Sequence, residues 1–272
     1  LLTPELCLPS IKRVAVQRRP DMRIHLLRCD GTVVVLIYDK IEQVNCFVTV
    51  ETQGLVEDIA VLPGDTEDSV YYVVARISNG AVVRYLEKWA LTSEAVGGTV
   101  NKMADSFIEV NQESSRTITG ISHLEKRGVT VWGNGKYLGT YGVIGGRIVL
   151  TEEVTYAIVG LHYYGEFISR KLGFLTVGQG ALSKRTRILK AGLILKDTDH
   201  GSLSYGTDED HLDKLPPIEA EAEVEEGTLW SIYDTDPLPF NGTFSNDTRL
   251  RLRADAPMPC TVMAAVVTVE RQ

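Results

Sequence analysis

The sequence predicts an all-β protein in which partial β-propeller blades are followed by a β-sandwich-like module. Three observations support this class. Short runs rich in Val, Ile and Tyr alternate with turn dipeptides along the chain. Two of these dipeptides recur, together with the neighbouring runs, as a repeat. No stretch has the 3.6-residue apolar period of a long amphipathic helix.

The N-terminal part of the chain contains seven predicted strands. Asp30-Gly31 and Asn79-Gly80 each provide the pair of residues with positive φ that a two-residue hairpin turn needs. The predicted strands cover residues 11–16, 23–28, 32–38, 46–51, 56–62, 70–76 and 81–88.

These strands form a repeat. Val14-Ala15-Val16 and Ile59-Ala60-Val61 are 45 residues apart, and the two turn dipeptides are 49 residues apart. A four-stranded unit of about 40–50 residues has the size of one propeller blade. Since a propeller needs about four to eight blades to close, two blades make an incomplete ring. We expect the remaining blades to lie outside this sequence.

The segment 93–115 interrupts the strand pattern. It carries Gly and Ser with little periodicity and then turns polar, which predicts a linker or long loop with a domain boundary near residue 110. The predicted domains are therefore residues 1–109, with about two blades, and residues 110–272. The second is a β-rich module whose C-terminal strands could return to the propeller.

The second module is also predicted to consist of strands and tight turns. Gly133-Asn134-Gly135 provides a tight turn, and the nearly continuous apolar run 156–161 predicts a strand covered on both faces. Residues 249–253 alternate Arg and Leu, so one face is apolar and the other cationic. The acidic stretch 219–226 predicts either a short helix or an exposed loop. Further strands are predicted at residues 129–132, 137–141, 147–150, 187–195, 228–233 and 260–269.

Composition excludes several classes. The chain has 28 Lys and Arg against 36 Asp and Glu, a net charge of −8, which argues against a basic protein that grips nucleic acid. No apolar run approaches the roughly 18 residues of a membrane span, so we expect no membrane anchor. The four cysteines form no C-x-x-C pair, which favours assembly in a reducing cytosol. Cys29 and Cys46 lie in apolar runs, where we expect them to be buried.

The sequence contains no recognisable catalytic or metal-binding motif. The carboxylates around Asp197–Asp199 and at residues 208–213 do not match an EF-hand, and a solvated polar loop is the favoured interpretation. No nucleophile elbow, P-loop or dinucleotide fingerprint occurs, and the histidines are scattered. We therefore predict no cofactor, no metal and no enzymatic activity. Glycosidase chemistry is the least favoured hypothesis.

Two sets of residues are candidates for contacts with partners. The first is the only basic cluster of the sequence, Lys184-Arg185-Thr186-Arg187, which could contact phosphate or pair with the acidic stretch 219–226. The second is a set of aromatic residues that could anchor subunit interfaces or pack in the core. This aromatic set consists of Trp89, Trp132, Trp230, Tyr163 and Tyr164.

A series of motifs follows a recognisable order along the chain. The motifs are VAVQRRPD at 14–21 with DGT at 30–32, EDIAVLPG at 57–64 with DSVYYVV at 68–74 and NGAVVRYLE at 79–87, VTVWGNG at 129–135 with VGLHY at 159–163, and TRI at 186–188 with PCTVMAA at 259–265. Their order resembles that of tail nozzle proteins of short-tailed bacteriophages, also called tail tubular protein B or tail stabilisation proteins. The resemblance covers about residues 12 to 270.

The resemblance implies a structural protein of the virion tail, assembled in the host cytoplasm. Family members form a hexameric ring that joins a tail adaptor protein, carries tail fibres or spikes, and retains and then conducts double-stranded DNA during genome ejection. The family provides no catalytic residue to transfer. The alternative function is a carbohydrate- or receptor-binding β-propeller adhesion module.

Overall fold

The computed structural model describes residues 8–271 except 79, 173–174, 177–178, 181–183, 217, 220–221, 224–228 and 235–237. The described residues form antiparallel strands, with two short 3-10 turns at Thr92–Glu94 and Ser122–Leu124. No described helix has the length and apolar character needed to span a bilayer. The all-β class with propeller-type blades is confirmed.

The chain divides into two compact units that interleave along the sequence. Unit 1 comprises Leu1–Glu94, Thr119–Arg127 and Val143–Arg147, and unit 2 comprises Ala95–Ile118, Gly128–Gly142 and Ile148–Gln272. The domain division at residues 109 and 110 stays a prediction, although one continuous strand, Asp105–Thr119, crosses it.

Unit 1 contains two antiparallel sheets in which consecutive strands are neighbours. The first sheet has the order β1-β2-β3-β4 and the second the order β5-β6-β7, which is the up-and-down order of propeller blades. The strands are β1 (Ile11–Gln17), β2 (Arg23–Arg28), β3 (Val33–Asp39), β4 (Val44–Val50), β5 (Leu55–Leu62), β6 (Ser69–Ser78) and β7 (Ala81–Lys88).

The two predicted hairpins of unit 1 are present, but the connection between β2 and β3 spans residues 29–32 rather than two residues, and of the pair Asp30-Gly31 only Gly31 has a positive φ. Gly31 between β2 and β3, and Gly80 between β6 and β7, have φ angles of 83° and 80°, a region that favours glycine because it has no Cβ. Apolar side chains of both sheets then share one core, including Leu27 and Val35 of the first sheet and Ile59 of the second.

The repeat predicted from the sequence matches the strand order. Val14 and Ile59 lie on β1 and β5, the first strand of each sheet. The residues immediately before Val14 and Ile59 are Arg13 and Asp58, which carry opposite charges. Arg13 Nη1 lies 3.0 Å from Asp58 Oδ1. Equivalent positions of consecutive blades are therefore joined by an ion pair.

Unit 2 contains three larger sheets and two short hairpins. The larger sheets have the orders β10-β9-β11-β8 and β12-β22-β16-β17, and a third in which β15 pairs with β20, β21 and β23. The strands are β8 (Asp105–Thr119), β9 (Gly128–Gly133), β10 (Lys136–Gly142), β11 (Arg147–Leu161), β12 (Tyr164–Ile168), β13 (Leu175–Thr176), β14 (Gln179–Gly180), β15 (Thr186–Asp199), β16 (Leu203–Gly206), β17 (Leu212–Lys214), β18 (Ile218–Glu219), β19 (Ala222–Glu223), β20 (Leu229–Asp234), β21 (Leu238–Pro239), β22 (Arg251–Asp255) and β23 (Thr261–Arg271).

Two of these sheets share a core in a sandwich-like arrangement. Leu193 and Leu195 of β15 pack in one buried cluster with Leu203 of β16 and Leu252 of β22. The alternation of Arg and Leu at 249–253 is explained by this core, because Leu250 and Leu252 are buried while the three arginines that alternate with them stay partly exposed. The apolar run 156–161 is buried in β11 from Ala157 to Leu161, as predicted.

The predicted linker is wrong from Asp105 onward. Residues 105–119 form β8, which lies at the edge of its sheet beside β11. A strand at a sheet edge can face solvent, so polar side chains are compatible with pairing there. The strand was not predicted because the segment is polar and lacks the apolar run by which the other strands were recognised.

The expected burial of two cysteines is also wrong. Cys29 and Cys46 are exposed, Cys260 is half-buried, and Cys7 lies outside the described residues. Cys46 lies on β4, an edge strand whose residues are mostly exposed, and Cys29 follows the end of β2. Apolar neighbours in the sequence therefore did not imply a covered side chain.

Candidate functional site

Trp132 belongs to the core of unit 2. Its side chain is fully buried beside Ala104 and Ile158, and its Nε1 donates a hydrogen bond to the Gly98 carbonyl oxygen over 2.9 Å. The aromatic residues were predicted either to anchor subunit interfaces or to pack in the core, and Trp132 packs in the core. The side chain is not available as an anchor for another subunit.

Trp89 packs at the edge of the core of unit 1. Its ring centroid lies 5.2 Å from that of Tyr72 and 5.2 Å from that of His25, both in edge-on geometry. His25 is fully buried, and its Nδ1 lies 2.7 Å from the Tyr72 hydroxyl. Half-buried Trp89 therefore closes a polar-aromatic cluster that the scattered histidines of the sequence did not indicate.

Tyr163 and Tyr164 both expose part of their side chains, although burial raises the pKa of the Tyr163 hydroxyl to about 12. The guanidinium of Arg253 lies 3.9 Å from the ring centroid of Tyr164, a cation–π contact, and Arg253 also pairs with Asp255 over 3.2 Å. Trp230 lies in β20 opposite Thr198, and its side chain is outside the described part of the chain.

Segments distant in sequence bring positive charges to one region of unit 2. The Leu172 amide donates to the Thr248 carbonyl over 2.9 Å, and Thr186 and Ser245 exchange two backbone hydrogen bonds of 2.9 Å. The Thr186 hydroxyl donates to the Thr248 hydroxyl over 2.9 Å, where both residues are buried. Residues 169–172, 184–187 and 245–250 are therefore tied together around two buried threonines.

The Lys and Arg residues of these three segments, together with Arg271 opposite Thr186 on β23, are called the basic cluster. Its seven cations are accompanied by the carboxylates of Asp247 and Glu270, so the formal net charge of this region is +5 in a chain of net charge −8. The members of the basic cluster are Arg170, Lys171, Lys184, Arg185, Arg187, Arg249 and Arg271.

Arg249 and Arg187 of the basic cluster pair with the adjacent carboxylates. Arg249 contacts both carboxylate oxygens of Asp247 at 2.9 and 3.1 Å, which lowers the pKa of Asp247. Arg187 pairs with Glu270 and lies 4.8 Å from the ring centroid of Phe244. The described partner of Arg187 is thus on β23. Pairing of Lys184 or Arg185 with the stretch 219–226 stays a prediction.

Sequence reasoning identified three members of the basic cluster and missed the other four. Lys184, Arg185 and Arg187 are close in the sequence, which made them visible. Arg170, Lys171, Arg249 and Arg271 join them only through strand pairing and the bonds around Thr248. One sequence signal could have pointed to two of these four residues. Arg170 and Lys171 are adjacent and precede an uncharged segment that ends at Lys184.

Residues 210–213, which belong to the acidic stretch 208–213, line a small groove in unit 2. Asp208 Oδ1 lies 2.6 Å from His211 Nδ1, and this contact raises the pKa of His211 and lowers that of Asp208. The groove has a volume of about 210 Å³. It is lined by Gly206, Thr207, Asp210, His211, Leu212, Asp213, Phe240 and Asn241.

No group of three or more His, Cys, Asp or Glu side chains among the described residues is arranged to hold a metal ion. The chain matches no protein-family model and no curated protein. The fold therefore defines a class, an all-β protein with propeller-type blades, and the surface supplies two features from which a function can be argued. These are the basic cluster and the exposed edges of several sheets.

Proposed function

We propose that the protein is a structural component of a bacteriophage tail, of the nozzle kind, which assembles as a ring of identical copies in the virion. One observation carries the proposal: large apolar side chains are exposed on strands at the edges of sheets. The proposal assigns the chain no catalytic step and no cofactor. The chain's role is to bind copies of itself and neighbouring tail proteins.

One exposed edge strand of unit 1 is β7. Val82 and Leu86 on this strand are 65% and 72% exposed, and β7 pairs with β6 on one side only among the described strands. An edge strand presents unpaired backbone groups, and natural proteins protect such strands or pair them. Exposed apolar side chains on an edge strand favour a surface that is covered in an assembly.

Unit 2 has a similar edge at β23. Met263 and Val266 are 65% and 66% exposed, and the strand pairs along its length with β15. In the same unit, all five residues of the edge strand β12 are exposed, including Tyr164 and Phe167. The two units therefore each carry an edge suited to contact with another chain.

The net charge is compatible with passage of DNA. Copies of net charge −8 would surround a channel with negative potential, which repels phosphate and allows a duplex to slide rather than bind.

Assembly is tested by light scattering and negative-stain imaging of the purified chain. We expect closed rings of several copies, with six copies implied by the resemblance to nozzle proteins. A chain that stays monomeric at concentrations of tens of micromolar contradicts assembly through its own surfaces.

The tail role is tested in the phage particle. Particles made without the protein are expected to lose their packaged DNA or to fail in ejecting it, because the conduit would be missing. Particles that retain DNA and infect normally would refute the nozzle role while leaving ring formation untouched.

A carbohydrate-binding adhesion module is the second candidate, and the groove at 206–213 favours it. Carboxylate and amide groups beside an aromatic ring, here Asp210, Asn241 and Phe240, can bond sugar hydroxyls and cover an apolar sugar face. Binding on a glycan array that is lost in Asn241→Ala would support this candidate. An array without binding would remove it.

A further inference from the structure

We propose that copies of the protein join by strand addition, in which β7 of one copy pairs antiparallel with β12 of the next copy. The inference rests on the proposed assembly of identical copies and names the two strands that meet. One strand belongs to unit 1 and the other to unit 2, and each lies at the edge of its sheet. Because the two strands differ, the contact is head-to-tail, the kind of contact that can close a ring.

The first argument is a vacant strand position beside β7. By the repeat, β7 corresponds to β3, since both follow the equivalent turns at Gly31 and Gly80. β3 pairs with a fourth strand, β4, whereas β7 is the last described strand of its sheet. Val33 of β3 is fully buried, and the equivalent Val82 of β7 is 65% exposed. A further strand beside β7 would complete the four-stranded pattern of the first sheet.

The second argument is the direction of the backbone groups on the two strands. The Trp89 amide donates to the Val70 carbonyl over 3.0 Å, and the Ser169 amide donates to the Leu250 carbonyl over 2.8 Å. Since hydrogen bonding alternates along antiparallel strands, the odd-numbered residues of β7 bond to β6 and those of β12 bond to β22. The even-numbered residues of both strands therefore turn their N–H and C=O groups to the free edge.

The third argument is the pairing of side chains. Two pairings join even-numbered residues and keep all five residues of β12 against β7. One of them places Arg84 opposite Glu166, and the other places Leu86 there. Opposite charges across a strand pair stabilise it, which favours the first. The remaining pairs of this register are Val82 with Ile168, Val83 with Phe167, Tyr85 with Gly165, and Leu86 with Tyr164.

The same register aligns the faces of the two sheets. Tyr85 lies opposite Val74, a residue of the core of unit 1, and Phe167 lies opposite Leu252, a residue of the core of unit 2. In the proposed pairing the core side of one sheet therefore continues the core side of the other. A shift by one residue would place core-side residues beside solvent-side residues.

The charged pair remains available although each member already has a partner within its own chain. Arg84 contacts Glu57 at 2.7 and 3.0 Å, and Glu166 accepts a hydrogen bond from Arg251 over 3.0 Å. The side chain of Arg84 is 64% exposed. A guanidinium has five donors and a carboxylate has about four acceptor positions, so both groups can form a further bond across the contact.

The register is tested by disulfide cross-linking between two variants of the full chain. Val83→Cys and Phe167→Cys are each made in a Cys7→Ser/Cys29→Ser/Cys46→Ser background, one with a longer affinity tag, then mixed and mildly oxidised. The two positions would form a non-hydrogen-bonded pair with Cα atoms about 4.5 Å apart, a distance that a disulfide spans. We expect cross-linked dimers that contain one chain of each variant.

The matched control mixes Val83→Cys with Gly165→Cys in the same background. A Cβ at Gly165 would meet no atom within 4 Å, so the substitution fits the folded chain. These positions would be diagonal neighbours about 7–8 Å apart, which exceeds the reach of a disulfide. We expect at least about tenfold less cross-linking than in the first mixture.

Exchange of the two charges tests the pairing without cysteine. Arg84→Glu alone and Glu166→Arg alone place like charges opposite each other in every contact, so each should weaken assembly roughly tenfold. In an equal mixture of the two variants, each contact between unlike chains again joins opposite charges. We expect light scattering of the mixture to match that of the unaltered chain.

The outcomes separate this proposal from the assembly on which it rests. A monomeric unaltered chain would contradict assembly itself. An unaltered chain that assembles, with no cross-link between positions 83 and 167 or with equal cross-linking in the control, would overturn the pairing alone. Cross-linking of Val83→Cys only to a different tail protein in the particle would also overturn it. If a cysteine variant does not fold by circular dichroism, the charge exchange decides, and a mixture as weak as the single variants contradicts the pairing.

Discussion

At the scale of single residues, His25 has the most unusual environment in unit 1. It is fully buried, with Tyr72 and Gln17 at its ring nitrogens and the Trp89 ring beside it. Burial, and to a smaller extent the charge of Arg23, lowers the pKa of His25 to about 4. The imidazole is therefore neutral in the folded protein at physiological pH.

This environment predicts a pH dependence of stability. In the unfolded chain His25 takes up a proton as the pH falls below about 6.5, whereas the folded protein excludes that proton until about pH 4. Stability is therefore lost between pH 6.5 and 4, by up to roughly 3 kcal/mol, and this loss levels off below pH 4. Urea unfolding at several pH values should show a shallower decline in His25→Gln. An identical decline in the variant would assign the effect to other groups.

Trp132 is the residue of unit 2 with the largest predicted effect on stability. Replacement by Ala removes a fully buried ring and leaves the Gly98 carbonyl without its donor, so we expect a loss of about 3–5 kcal/mol. Tyr164→Ala is the control, since this exposed side chain should cost less than about 1 kcal/mol. Denaturant unfolding measures both. Similar losses in the two variants would contradict the assignment of Trp132 to the core.

At the scale of strands, the close approach of β8 and β11 depends on Gly160. A Cβ at this position would lie 2.8 Å from Ala104 Cβ, 2.8 Å from the Asp105 carbonyl oxygen and 2.9 Å from Phe107 Cα. Two of these three atoms belong to the backbone, which cannot move aside as a flexible side chain can. The edge position of β8, which the sequence did not predict, thus depends on one glycine of the neighbouring strand, Gly160 of β11.

Gly160→Ala is therefore expected to destabilise unit 2 by roughly 1–3 kcal/mol, the usual cost of overpacking. Gly142→Ala is a matched control, because Gly142 ends the strand β10 and a Cβ there would meet no atom within 4 Å. Thermal unfolding of both variants compares them directly. A Gly160→Ala protein as stable as the control would show that β8 is not held at this distance.

Strand prediction succeeded where the sequence pattern is local. The turns at Gly31 and Gly80 and the apolar run that ends at Leu161 depend on neighbours within a few residues, so the sequence alone indicated them. Burial of Cys46 was predicted wrongly, because burial depends on which strand lies at the edge of a sheet. Edge position is decided by pairing with distant strands and leaves little trace in local composition.

At the scale of the whole molecule, the two units each have a core of their own and each expose an apolar edge. Hydrophobic surface of this kind is costly in water. Assembly with other chains would remove it, which is the physical reason for proposing a structural role. Net charge far from zero, here −8, opposes non-specific association of proteins.

If copies assemble through the edge strands β7 and β23, lysines introduced on these strands should weaken the assembly. Val82→Lys/Leu86→Lys on β7 and Met263→Lys/Val266→Lys on β23 place charges where pairing would occur, and at least one of them should shift light scattering towards smaller species. Ile41→Lys/Ile144→Lys is the control, because these exposed apolar residues lie outside the named strands, Ile41 in a turn and Ile144 in an isolated bridge. If neither edge variant differs from the control, assembly through sheet edges is contradicted.

The sequence by itself determined the all-β class, the two-blade repeat, the hairpin turns and the acidic balance, because these follow from local pattern and composition. Only the tertiary structure decided that Trp132 is buried, that His25 meets Trp89, and that the segments 169–172, 184–187 and 245–250 meet at Thr186 and Thr248. Arg170 and Arg249 lie far from Lys184 in the chain and are brought to it by backbone hydrogen bonds. Contacts of that range depend on how strands pair, and pairing is a property of the folded chain.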